Sequence, residues 1–154
     1  MIALPDGWSG TDGPAGPVVV GVDGLPGQAQ VLEFAAEEAS SRGAGLVVVH
    51  AWREVAVEAA LGQYGPLVDW ATVEAEKRRH LIDLVAPWRE RDLAVDEVVV
   101  RDRPAGALLD TAADAQLLVV GHRPRRLLAR LGSTTHGVLH RAACPVAVVP
   151  LLEE

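Results

Sequence analysis

Two stretches of this sequence carry residue types able to hold an anion. The first is "GHRPRRLLARLGSTT", residues 121–135, where Arg123, Arg125, Arg126 and Arg130 precede Gly132, Ser133, Thr134 and Thr135. Guanidinium groups meet phosphate oxygens through paired donors. A Gly-Ser-Thr-Thr opening a helix adds free backbone N–H groups, the positive end of the helix dipole and hydroxyl donors. Each feature also has a plainer use: arginines keep a surface loop solvated, and Ser133 satisfies backbone donors as a helix N-cap. The second stretch is "VVVGVDGLPG", residues 18–27, in which Asp23 ends an apolar run just before a turn. That carboxylate either faces a ribose or a magnesium ion, or caps the turn. His50-Ala51 ends another apolar run and offers backbone groups to the edge of a base.

Other chemistries fail on single residues. A Walker loop requires GxxxxGK before Ser or Thr, and the chain's one lysine is Lys77. Gly21, Gly24 and Gly27 are spaced GxxGxxG, which is not the dinucleotide fingerprint GxGxxG. A phosphoacceptor domain expects an aspartate ending the third strand and a lysine ending the fifth. Here Arg101 precedes Asp102, and the fifth strand has no lysine. Ser133, His136 and Asp23 form no GxSxG elbow. His136 and His140 share a helix face with no matching carboxylate pattern for a metal. The lone Cys144, between small and apolar neighbours, reads as a core residue.

The elements that position these residues follow from hydrophobic periodicity. Residues 1–16, rich in Gly, Pro, Asp and Ser, read as a flexible lead-in, and a single domain is expected over 17–154. The runs at 18–23, 45–52, 95–101, 115–121 and 144–150 read as buried strands, since they lack solvent-facing alternation. Helical spacing appears at about 27–42, at 67–91, after Pro104, and through Thr135, Val138, Leu139 and Ala142. No structure is assigned to the connection at 53–66. Alternating strands and helices predict a doubly wound α/β domain, a five-stranded parallel sheet with helices on both faces. Ligands of such folds bind beyond the carboxyl ends of the strands.

Composition bounds the partners. The chain has 154 residues, 49% of them hydrophobic, and a formal net charge of −7. That balance argues against a nucleic-acid partner. No apolar run is long enough to span a membrane, and the first residues show no export or transit pattern, so a cytoplasmic address is expected.

The segments "VVVGVDGLPGQAQVLEFAAEEASSRGAGLVVVHAW" and "GSTTHGVLHRAACPVAVVP" resemble the opening and closing units of the universal stress protein family, and the similarity extends from Pro17 to Pro150. The resemblance implies a flavodoxin-like, Rossmann-like sheet of order 3-2-1-4-5 and a homodimer paired through the last strand, Pro145 to Pro150. It also implies a small stress-response protein without catalysis, some members binding ATP and some not. By that resemblance Gly21 and Val22 belong to the nucleotide site, Asp23 approaches ribose and metal, and the backbone of Ala51 meets adenine. Val120 and Gly121 end the fourth strand, and Gly132, Ser133, Thr134 and Thr135 line the phosphates. Arg123 would add side-chain contacts, and magnesium would arrive with the nucleotide at Asp23. ATP-binding members follow GxxG, nine residues, then Gly-Ser or Gly-Thr. Here Pro124 replaces the second glycine and seven residues separate it from Gly132. Proline has no N–H to offer and cannot adopt the positive φ that glycine supplies. Three readings follow: an adenine-nucleotide binder with an altered loop, a dimeric interaction module of the same fold that binds no nucleotide, or a slow ATP hydrolase, for which no general base is evident.

Overall fold

Four runs of valine and leucine form the centre of the sheet because they can bury both faces, which is what a parallel strand covered by helices on either side demands. The computed structural model describes residues 1–6, 8, 15–24, 27–123 and 133–151, without side-chain detail at 54–56, 58, 64–66 and 133. Its strands are β1 (Ile2–Ala3), β2 (Val18–Gly21), β3 (Leu46–Trp52), β4 (Val95–Arg101), β5 (Leu117–His122) and β6 (Val146–Pro150). Its helices are α1 (Gln28–Ser41), α2 (Glu54–Leu61), α3 (Trp70–Arg89), α4 (Pro104–Thr111) and α5 (Ser133–Arg141), with a 3₁₀ segment at Gly62–Leu67.

The sheet corrects the expectation of five all-parallel strands: among the described residues it has six, in the order β1-β6-β5-β2-β3-β4. Parallel pairings join β4, β3, β2, β5 and β6 in that sequence. The order 3-2-1-4-5 counts these five and leaves out β1, which lies antiparallel against β6 with Ile2 opposite Ala147 and Ala3 opposite Val146. Val148 donates its N–H to the Met1 carbonyl at 2.7 Å, and the Met1 amino group donates to the Val148 carbonyl at 3.2 Å. Part of the lead-in thus occupies the strand edge that the family resemblance assigned to a second copy of the chain. The side chains of β1 contribute little packing, since Met1, Ile2 and Leu4 are all well exposed.

The two-residue period of a strand divides the core. Val18, Val20, Val22, Val48 and Leu117 face α1 and α3, where they meet Val31, Leu32, Leu81 and Val85. Val19, Val49, Leu118, Val146 and Val148 face α4 and α5 and meet Leu108 and Val138. The unassigned connection folds into α2 and the 3₁₀ segment. Helix α3 starts where Asp69 can cap it: its carboxylate accepts from the Ala71 N–H at 3.1 Å and from the Thr72 hydroxyl at 2.8 Å, a cap whose loss typically costs about 1 kcal/mol. The end of α3 is tied to β4, because Arg89 donates to the Val95 carbonyl at 2.8 Å and pairs with Glu97 at 2.5 Å.

Candidate functional site

Strand order reverses between β2 and β5: from β2 the chain steps first to β3 on one side and later to β5 on the other. Connections leave the two carboxyl ends in opposite directions there and open a crevice, the usual ligand position in such sheets. Four of the expected site residues, Gly21, Asp23, Gly121 and Arg123, lie at this point.

Asp23 is held on two sides. Gln28, the first residue of α1 and 7% exposed, donates its Nε2 to Asp23 Oδ1, while its Oε1 accepts from the Asp23 backbone N–H at 2.9 Å. This reciprocal bond spans a turn in which Gly24 and Gly27 have φ of 77° and 95°, the left-handed region that glycine enters without strain. Arg123 lies across the same turn, its Nη2 3.4 Å from Asp23 Oδ1. Asp23 remains about half exposed and Arg123 about a third, so their ion pair adds little to stability.

The pleat divides the other candidates. Gly21 faces α4: a Cβ there would lie 2.9 Å from both Leu108 methyl carbons. Ala51 and Val120 belong to this α4/α5 side. Val22 faces the α1/α3 side, and so does Gly121, where a Cβ would meet Val31 at 3.0 Å and Leu151 at 3.1 Å. Thr135, buried in the first turn of α5, donates its hydroxyl to the Gly121 carbonyl over 3.4 Å. Thr134 is half-buried beside it, and Ser133 begins the helix. Gly132, Pro124, Arg125, Arg126 and Arg130 lie outside the described residues. Asp102 is exposed and accepts from the Arg103 N–H at 2.7 Å, closing the turn into α4.

His50 contributes more than backbone. Its Nδ1 lies 3.0 Å from the Val22 carbonyl oxygen. A carbonyl only accepts, so Nδ1 carries the proton and Nε2 the lone pair. Burial outweighs that bond and lowers the imidazole below its ordinary value, which leaves it neutral at pH 7. Beyond it stands a cluster that no motif announced. Trp52 is buried and stacks on Trp70, with centroids 5.9 Å apart at 27°. The Arg101 guanidinium lies 5.1 Å from the Trp52 ring and 6.0 Å from that of Trp70. The Lys77 ammonium lies 5.5 Å over Trp52. The β3–β4 register, which sets Trp52 opposite Arg101, brings the ring and the guanidinium together.

Cys144 is buried, and burial raises its thiol above the ordinary range. It is a core residue in a setting that disfavours the thiolate. Among the described residues no cluster of three His, Cys, Asp or Glu side chains is placed to hold a metal. Among them, too, no helix is long and apolar enough to cross a membrane.

The sequence model of the universal stress protein family matches residues 15–150. The chain is similar to universal stress protein Rv2005c of Mycobacterium tuberculosis, 43% identical over 136 residues, which is 86% of this chain and 44% of that protein. The chain therefore spans less than half the length of this curated relative. Among solved structures it resembles a universal stress protein from Archaeoglobus fulgidus, with TM-score 0.65 and 27% identity over 89% of this chain and 93% of that one. A second structure from that organism, in complex with dAMP, gives TM-score 0.61 and 27% identity over 89% of this chain and 98% of that one. The family model and the structural matches each cover most of the chain, and the chain belongs to the universal stress protein family.

Proposed function

We propose that this chain binds an adenine nucleotide, without turning it over, in the crevice beyond the carboxyl ends of β2 and β5. The observation that carries this reading is the dAMP complex of a family member of the same fold, 27% identical and matched over 98% of its length. In this reading the backbone of Ala51 meets the base, and Gly21, Val22 and Asp23 border the ribose. Val120 and Gly121 form the floor, and Gly132 with the start of α5, Ser133 to Thr135, takes the phosphates. Arg123 exchanges its pairing with Asp23 for a phosphate oxygen, a stronger partner. Asp23 offers one carboxylate with an oxygen already bonded by Gln28, too few hard oxygen ligands for the protein alone to hold magnesium. The ion would arrive on the nucleotide.

A second reading, a domain that acts by protein contacts with no nucleotide, has its own support: Asp23 is already bonded by Gln28 and Arg123 without a ligand. In both readings two copies meet at the β6 edge, Pro145 to Pro150, where β1 must either be displaced or take part.

The deciding experiment is to denature the natively purified protein, assay the released nucleotide, and titrate the native chain by calorimetry with AMP and ATP, with and without magnesium. Binding is expected, with Arg123→Ala weakening it about tenfold or more, the scale of a lost charge-assisted hydrogen bond. No released nucleotide and no heat up to about millimolar ligand, the weak end of specific binding, refutes the first reading in favour of the second.

A further inference from the structure

On the opposite side of the sheet from Ala51 and Val120 lies a cavity of about 410 Å³, within the size range of small-molecule sites. Its walls are Val57 and Leu61 of α2 and Val73, Leu81 and Leu84 of α3, and its floor is Val22 and His50. We propose that this cavity binds a small uncharged ligand with an apolar, ring-sized body and one hydrogen-bond donor, a phenol-like molecule whose O–H is accepted by His50 Nε2.

The class follows from the polar groups present. The Val22 carbonyl takes the Nδ1–H of His50, so the remaining ring nitrogen is an acceptor, and no described residue bonds to it. Once a ligand displaces water from the cavity, an acceptor left without a donor is costly, which favours a ligand that brings an O–H or N–H. Among the described side chains, the titratable groups lining the cavity besides His50 are Asp23, just past β2, and Glu76, Lys77 and His80 on α3. An anion would meet the Nε2 lone pair and the carboxylates of Asp23 and Glu76. A cation would meet Lys77, whose ammonium is drawn toward the Trp52 ring. A neutral donor opposes none of them. The cavity shares Val22 and Asp23 with the nucleotide crevice and adjoins it at β3, where His50 precedes Ala51, but its walls on α2 and α3 lie on the other side of the sheet from Ala51 and Val120, so the proposal stands whether or not a nucleotide binds.

The test follows the backbone amides of the full chain by NMR while p-cresol, toluene and 4-methylbenzoate are added in turn. The three share a ring and a methyl group and differ in carrying a donor, nothing or a carboxylate. Shifts centred on Val22, His50, Leu81 and Leu84 are expected, with p-cresol binding about tenfold tighter than either analogue, as one buried hydrogen bond allows. His50→Phe should reduce p-cresol to the level of toluene, and Leu84→Trp, filling the cavity from a half-buried position, should abolish both. A thermal melt of each variant confirms that it is folded. Lowering the pH through the titration of His50, followed on its own ring signals, turns Nε2 into a donor and should remove the preference for p-cresol over 4-methylbenzoate. The proposal is overturned by any of three results: 4-methylbenzoate binding as tightly as p-cresol at neutral pH, no shifts at these residues with millimolar p-cresol, or shifts that survive both substitutions in folded protein.

Discussion

Replacing Gln28 by leucine tests whether the bond to Asp23 organises the end of β2. The side chain keeps its approximate volume and stays buried, but two hydrogen bonds go: the one from Nε2 to the Asp23 carboxylate, and the one from the Asp23 N–H to Oε1. A charge-assisted bond is worth about 1.5–3 kcal/mol and a neutral one about 0.5–1.5 kcal/mol. The full sum overstates the loss, because Asp23 is about half exposed and its carboxylate recovers water once released. We expect Gln28→Leu to lower unfolding free energy by about 1–2 kcal/mol. For a chain of this size that is a fall in Tm of about 2–8 °C, at about 2–4 °C per kcal/mol. Urea denaturation of Gln28→Leu, Asp23→Ala and the double variant gives the coupling directly, expected at about 1 kcal/mol or more. The same variant should bind nucleotide more weakly, since Asp23 must then be ordered by the ligand. A Gln28→Leu protein within about 0.3 kcal/mol of the parent, with no coupling to Asp23→Ala, would refute the reasoning, for such a difference lies within additivity error.

Two further outcomes follow from contacts elsewhere. Gly21→Ala places a Cβ against both Leu108 methyls, so it should cost about 1–3 kcal/mol as overpacking. Adding Leu108→Ala should then cost less than it does in the parent chain, and simple additivity in urea denaturation would show that α4 does not press on β2. Deleting residues 1–4 uncovers the β6 edge between Val146 and Val148, and unpaired edges recruit other chains. Analytical ultracentrifugation should show a larger dimer fraction, while an unchanged distribution would mean that β1 does not compete for that edge.

Much of this architecture is legible in the sequence because its signals are local. The apolar runs of β2, β3, β5 and β6 leave few options but buried parallel strands, and the spacing of Leu32, Ala35, Ala36 and Ala39 defines the inner face of α1. What escaped depends on contacts between residues far apart in the chain. Strand β1 is two residues long and has no periodicity, and its partner Ala147 lies almost at the other end of the chain. The cluster of Trp52, Trp70 and Arg101 requires the β3–β4 register. The Asp23–Gln28 bond requires a turn closed by two left-handed glycines, and the spacing of an acid and an amide five residues apart does not reveal it.

Alternation along β2 and β5 places Gly21 and Val120 on one face and Val22 and Gly121 on the other, so these candidates border a crevice from two sides. Asp23, past the end of β2, stands between those sides. The sequence left it a choice between ligand contact and turn capping; the structure bonds its carboxylate to the Gln28 side chain and leaves it half open to solvent. A ribose hydroxyl or a nucleotide-borne cation arriving at Asp23 therefore competes with water and with Arg123 at 3.4 Å, and the Gln28 bond can persist. Binding then becomes an exchange of Arg123 from carboxylate to phosphate. Its affinity should depend on the phosphate that receives Arg123 more than on any rearrangement of β2.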